Sequence, residues 1–187
     1  MNSSDEGLKT CKENLQKIIG ASSQKDGIIE RFLTNRCHFA IPDEERDVAF
    51  WKLLCYEIMY LWNLLGSCSA ATLNTIIEDC EALNDLPDSI LGLSQFLMGS
   101  AYTFLGDHEK AIDSYKTCIE ICNENPSKLH LLHIPAYANY ELAVLTAKSK
   151  SEDSTAEAQK LLQNALMYKS FDFEHRLKLK IHSFKIG

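Results

Sequence analysis

Between Gly99 and Tyr115 the chain reads Gly99-x-x-Tyr102-x-x-Leu105-Gly106-Asp107-x-x-x-Ala111-x-x-x-Tyr115, and few folds accept that spacing. On each side of Gly106-Asp107 the apolar and small residues recur three and four apart, the period of one helix face. Glycine at 106 accepts the left-handed backbone that ends a helix, and aspartate at 107 accepts hydrogen bonds from the amides that open the next. Two helices joined by so tight a turn run antiparallel. Gly99 and Ala111 mark where their axes approach closely, Leu105 is core, and Tyr115 fills a wedge against whatever packs next. Cys118 stands one turn further on, in another small-residue slot.

The rest of the chain spells variations on the same unit. A stripe of Leu8, Leu15, Ile18 and Ile19 predicts a helix closing at Gly20, and Ile28, Ile29, Phe32 and Leu33 predict a second that ends before Pro42. Asp43 reads as an N-cap, with Glu44 and Glu45 in the first turn. The helix it opens is the most apolar of all, reaching Leu65 and stopped by Gly66 and Ser67. Thr72 opens the next, through Ile76, Ile77, Cys80 and Leu83. After the break at Leu86-Pro87-Asp88, capped by Asp88 or Ser89, helices are expected at 90–106, 107–123 (stopped by Pro126 and Ser127), 130–148 and 155–169. The polar stretch 148–154 serves as a turn. A last helix over 171–186 carries Phe173, Leu177, Ile181 and Phe184 on one stripe. Roughly nine helices paired through short turns make an all-α chain, an α-solenoid in which each pair must stack on its neighbours to bury its apolar face.

The unit at 99–115 resembles the tetratricopeptide repeat. Leu142-Ala143 with Ala158, Leu162 and Ala165 form a second, degenerate copy, and Cys55 with the segment 72–83 a weaker one. Cys55, Gly99 and Ala143 fall 44 positions apart, longer than the usual period of about 34, so the connections are lengthened. The expected organisation is N-terminal helices at 1–42, a degenerate pair at 43–86, a repeat at 88–125, a degenerate repeat at 129–170 and a capping helix at 171–187. Arg176, Lys178, Lys180 and Lys185 give the cap a basic outer face, solvated or turned toward an acidic peptide.

Composition agrees and removes some functions. Only 8 glycines and 4 prolines in 187 residues leave too few turns for a sandwich or barrel, while 45% hydrophobic residues supply a core. A formal charge of −7 argues against binding nucleic acid through bulk charge, or anionic membranes through attraction. The seven cysteines (11, 37, 55, 68, 80, 118 and 122) are odd in number and contain no CxxC, so a reducing compartment is expected, the cytoplasm or the nucleus. The opening Met1-Asn2-Ser3-Ser4-Asp5-Glu6 lacks the basic and apolar regions of a signal peptide. The stretch 49–71 has the length of a membrane span, but Lys52 and Glu57 interrupt it, each costing about 2.5 kcal/mol or more at mid-bilayer. A buried helix is expected there.

Catalytic patterns are missing: there is no phosphate-cradling glycine loop, HExxH, GxSxG or EF-hand spacing, and no cofactor or metal is implied. His130-x-x-His133 shares a helix face but has no obvious further ligands. Cys118 and Cys122, four apart, fit a helical core. Leu61-Trp62-Asn63-Leu64-Leu65 spells the LxxLL docking motif, yet within the most apolar helix it reads as core.

Longer phrases resemble one family. Tyr56-Glu57-Ile58-Met59-Tyr60-Leu61-Trp62-Asn63, the stretch from Glu30-Arg31-Phe32 to Phe39, and Tyr168-x-x-Phe171-x-Phe173-Glu174-x-Arg176-Leu177-x-x-Lys180-Ile181-His182 are similar to phrases of the tetratricopeptide repeat protein 39 family, which includes the fungal inclusion body clearance proteins. The resemblance runs from about Gly27 onward. Members of that family are several times longer, so it implies that this chain corresponds to their C-terminal part, as a short isoform or fragment. It also implies adaptor work without catalysis, in a family tied to lipid regulation, aggregate clearance and cilium assembly.

In such repeats the first helix of each pair lines the inner groove. That places Phe96, Ser100, Thr103 and Phe104, then Tyr137, Tyr140 and Val144, on the partner-binding face. Tyr137 and Tyr140 have a second reading, as packing for the capping helix. The expected partners are other proteins or peptides, with self-association through uncovered apolar surface as the alternative.

Overall fold

The computed structural model describes residues 9–10, 13–14, 16–17, 20, 27, 31–32, 34–36, 48–83, 88–124, 131–149 and 151–184. The chain divides into two compact units, Met1–Asp47 and Val48–Gly187. In the first, the described residues at 9–20 and 31–36 are helical, and Gly20, expected as a helix stop, is itself helical. Phe32 is buried under the Arg36 guanidinium, 5.2 Å from its ring centre. The rest of the stripes read there, the Asp43 cap, and the breaks at Pro87 and Pro126 lie outside the described residues.

The second unit contains seven described α-helices: α1 (Val48–Leu61), α2 (Ala70–Glu81), α3 (Asp88–Leu105), α4 (His108–Glu124), α5 (His133–Ala147), α6 (Glu152–Met167) and α7 (Glu174–Ser183). No strand occurs among the described residues. The tightest partnerships are α3 with α4 and α5 with α6, the two hairpins read from the sequence. Helix α4 also packs on α5, and α2 on α3, so each second helix touches the first helix of the next pair. α1 and α2 meet only lightly, and α2 lies chiefly against α3. The unit is an α-solenoid of tetratricopeptide-like pairs.

The central hairpin follows its local chemistry. Gly106 sits at φ +84, and the amides of Gly106 and Asp107 turn back to the carbonyls of Thr103 and Tyr102, the two bonds of a Schellman end. Asp107 Oδ1 then accepts from the Lys110 amide at 3.3 Å, capping α4. A Cβ at Gly99 would stand 2.8 Å from the Tyr115 ring, so only glycine admits that ring. Tyr115 therefore packs back onto its own partner helix, and it also borders a small cleft with Glu141 of the next pair. Its hydroxyl donates to Ser100 Oγ at 3.2 Å, and its ring lies 6.0 Å from that of Phe96. Ala111 and Cys118 are fully buried.

At four helix limits the departure from the sequence reading has a local reason. α1 stops at Leu61, not Leu65: Asn63 takes φ 58, and the amides of Asn63 and Leu64 bond the carbonyls of Tyr60 and Met59, the same Schellman end that closes α3. α2 begins at Ala70 because Ser69, not Thr72, caps it, accepting from the Thr72 amide at 3.2 Å. α6 begins at Glu152 because Ser151 and Ser154 exchange side-chain and backbone hydrogen bonds in a capping box. α7 begins at Glu174 because Ser170 and Phe173 take φ 63 and φ 66, which no helix accommodates. Cys55, the small residue of the weakest repeat copy, is exposed.

Candidate protein-docking face

The first helices α1, α3 and α5 stand side by side. An aromatic chain joins them: the Tyr60 ring meets Phe96 edge-on at 4.6 Å and Tyr137 at 5.7 Å. A buried ionisable pair adds to it. Glu57 Oε1 lies 2.6 Å from His133 Nε2, with the side chains 1% and 7% exposed, binding α1 to the start of α5. His133 thus has a carboxylate partner from 76 positions away. His130 lies outside the described residues, and no group of three metal-binding side chains occurs among those described.

α7 lies against this same face. Leu177 and Ile181 are buried, and Phe173 just before the helix packs edge-on against Trp62 at 5.9 Å. Arg176 donates from Nη1 to the carbonyl of Leu61, the last residue of α1, where the helix dipole favours a cation. Lys180 points inward: its ammonium stands 5.7, 5.8 and 5.2 Å from the ring centres of Tyr60, Tyr137 and Tyr140, and 3.6 Å from Glu141 Oε1. The Tyr60 hydroxyl donates to the same oxygen at 2.6 Å. Lys178 pairs with Glu174 on its own helix at 2.5 Å. The expected basic outer face is therefore mostly spent: Arg176 and Lys180 are committed inward, and Lys185 lies outside the described residues. Burial pushes Tyr137 up to about 12, with Glu141 and Tyr140 adding to the effect and Arg176 opposing it. Burial also raises Tyr60, so both rings face the ammonium as neutral phenols.

The seven residues expected on the groove divide accordingly. Phe96, Ser100 and Tyr137 are 1%, 1% and 2% exposed, within the core. The Ser100 hydroxyl donates back to the Phe96 carbonyl at 2.9 Å, and the Tyr137 hydroxyl to the Phe173 carbonyl at 3.5 Å. Tyr140 is half-buried under α7, its ring 6.3 Å from that of Phe184. Thr103 and Val144 are half-buried, and Phe104 is 51% exposed. Phe104 leans over Gly66, where an added Cβ would come within 3.0 Å of its ring. Leu64, in the same segment, is 50% exposed, and Trp62 is 38% exposed. The LxxLL motif is accordingly no docking helix: its first and last leucines are core, and the helix ends inside it. Between this ridge and Lys180 lies a cleft of about 50 Å³, bordered by Asn63, Thr103, Phe104 and Glu141. That admits a few waters, far below the ~300 Å³ of a small-molecule site. No described helix is long and apolar enough to cross a membrane.

Such an array of stacked antiparallel helix pairs defines a tetratricopeptide-repeat solenoid. A model of the tetratricopeptide repeat family matches residues 94–125, the second half of α3 with α4. The tetratricopeptide repeat protein ttc-39B of Caenorhabditis elegans is 32% identical over 136 residues, covering 68% of this chain and 22% of that protein. The chain belongs to the tetratricopeptide repeat protein 39 family. It spans about a fifth of the length of the relative it matches. No solved structure matches it.

Proposed function

We propose that the chain is a protein-interaction scaffold that holds a partner protein or peptide at the ridge formed by the C-terminal ends of α1 and α3. The observation that carries this is the exposure of Trp62, Leu64 and Phe104 together beside an otherwise closed face, since exposed aromatic and aliphatic anchors are what protein interfaces use. Thr103 extends the ridge, and Val144 and Tyr140 mark where a longer peptide would continue along α5. Tetratricopeptide repeats generally bind proteins and do not catalyse, so no chemical step is assigned. The described cysteines are all free, which supports a reducing compartment, the cytoplasm or nucleus, as the place of work. Adaptor roles in lipid regulation, aggregate clearance or cilium assembly are the family-level candidates.

The test compares the whole chain with a Leu64→Glu/Phe104→Glu variant as bait in lysate, with bound proteins quantified by mass spectrometry. The expected result is a defined partner set that the variant loses while its circular dichroism stays unchanged. Identical sets would remove the ridge from the interface. Light scattering over a range of concentrations separates the alternative: a chain that assembles only with itself through the same residues is a structural protein, not an adaptor.

A further inference from the structure

The way α7 is held resembles the binding of a ligand more than the packing of a core helix. Its contacts with α5, on which it lies, are far lighter than those of α3 with α4 or of α5 with α6. Much of its hold is polar and aimed at cations: the Leu61 carbonyl receives Arg176, while three tyrosine faces and Glu141 surround the Lys180 ammonium. A ring of tyrosines with a carboxylate is a general receptor for alkylammonium groups. The segment that leads into α7 is also strained, because Ser170 and Phe173, neither of them glycine, are left-handed at φ 63 and φ 66. Undocking α7 lets both residues relax, which favours its release.

We propose that α7 is a displaceable ligand of its own array, occupying a docking site for a lysine-bearing amphipathic helix of a partner protein. The partner's chemistry is given by what α7 presents: apolar residues at the spacing of Leu177 and Ile181, a lysine one residue before the second, and an arginine one before the first. Each cation meets an acceptor already placed on α1 or α5, so an acidic or neutral helix would leave the three tyrosine faces without a cation and Glu141 with only the Tyr60 hydroxyl. The inference rests on the scaffold function proposed above and names a partner class for the neighbouring part of the same face.

The probe is a fluorescein-labelled peptide of residues 171–187, titrated by anisotropy into the full chain and into a full-length Arg176→Ala/Lys180→Ala variant. In the intact chain the site is covered, and apparent affinity falls by the fraction of molecules in which it is open, so the variant should bind about tenfold tighter or better. A peptide carrying both alanines in place of the cations should not bind saturably. Hydrogen exchange on the unmodified chain gives a second reading that needs no variant: amides of α7 should exchange about a hundredfold faster than those of α3, through local opening. A folded variant that ignores the peptide, one that instead dimerises by exchanging α7, or equal exchange rates for α7 and α3, each overturns the proposal. Capture that depends on Phe104 would survive any of these results, so failure of the latch is distinguishable from failure of the scaffold.

Discussion

His133→Ala should be among the most destabilising single substitutions in this chain. His133 and Glu57 face each other at 2.6 Å with almost no solvent, and they join helices 76 positions apart. Removing the imidazole takes from the buried Glu57 carboxyl its 2.6 Å partner, and breaking a buried pair costs about 3–5 kcal/mol in other proteins. Taking about 3 kcal/mol, and about 3 °C of Tm per kcal/mol for a domain of this size, the melting temperature should fall by about 10 °C. Urea denaturation followed at 222 nm measures the free energy directly, and an unchanged m-value would show that the native state is otherwise intact. The paired replacement Glu57→Leu/His133→Leu should recover part of the loss, because it removes both members of this contact together. A cost below about 1 kcal/mol for His133→Ala, or a double variant as unstable as the sum of the two single ones, would refute the idea that the pair acts as one buried unit.

Three further outcomes are expected. Gly106→Ala should cost about 1 kcal/mol in denaturant melts, purely from the backbone, since nothing lies within 4 Å of the added methyl. Burial pushes the Asp79 carboxyl up, but hydrogen bonds from Lys52 at 2.6 Å and Tyr56 at 2.5 Å, with the Lys52 charge, outweigh it and bring it below its usual value. A folded-state value below the unfolded one means the carboxylate contributes stability above pH ~4 that fades as pH falls through the lowered value. Asp79→Asn should therefore be less stable than the parent by up to about 1 kcal/mol at pH 7, with the difference closing as pH falls through the lowered value in paired urea titrations. Exposed Cys55 should react with a maleimide in the native chain, whereas Cys80, pushed up to about 12 by burial, and Cys118, also raised by burial, should react only on unfolding; mass spectrometry of labelled peptides would show the order.

Helix α3, its turn and α4 were legible because their determinants act within a few residues. Gly106 and Asp107 shape the backbone next to them, and Gly99 with Tyr115 works across one hairpin whose geometry the turn already sets. Other local devices were present but read too narrowly. Asn63 ends α1 as Gly106 ends α3, yet an asparagine amid apolar residues is a weaker stop signal than glycine. Ser154 completes a capping box usually completed by glutamate or glutamine. The amphipathic stripe of α7 was correctly read, since Leu177 and Ile181 are buried, but periodicity gives the spacing of a face and not what covers it.

What covers it depends on separations no local pattern encodes. Glu57 and His133, Tyr60 and Glu141, and Arg176 and the Leu61 carbonyl meet across 76, 81 and 115 positions. The same distance effect turned Lys180 from a presumed surface charge into the occupant of a tyrosine cage, and made Phe96 and Tyr137 core while leaving Phe104 exposed. The sequence by itself determined that the chain forms paired helices, because a hairpin's hydrogen bonds and caps are settled over a few neighbours. Only the tertiary structure decided which face stays open, because that follows from how α1, α3, α5 and α7 share a limited apolar surface, a sum over contacts made by residues far apart in the chain.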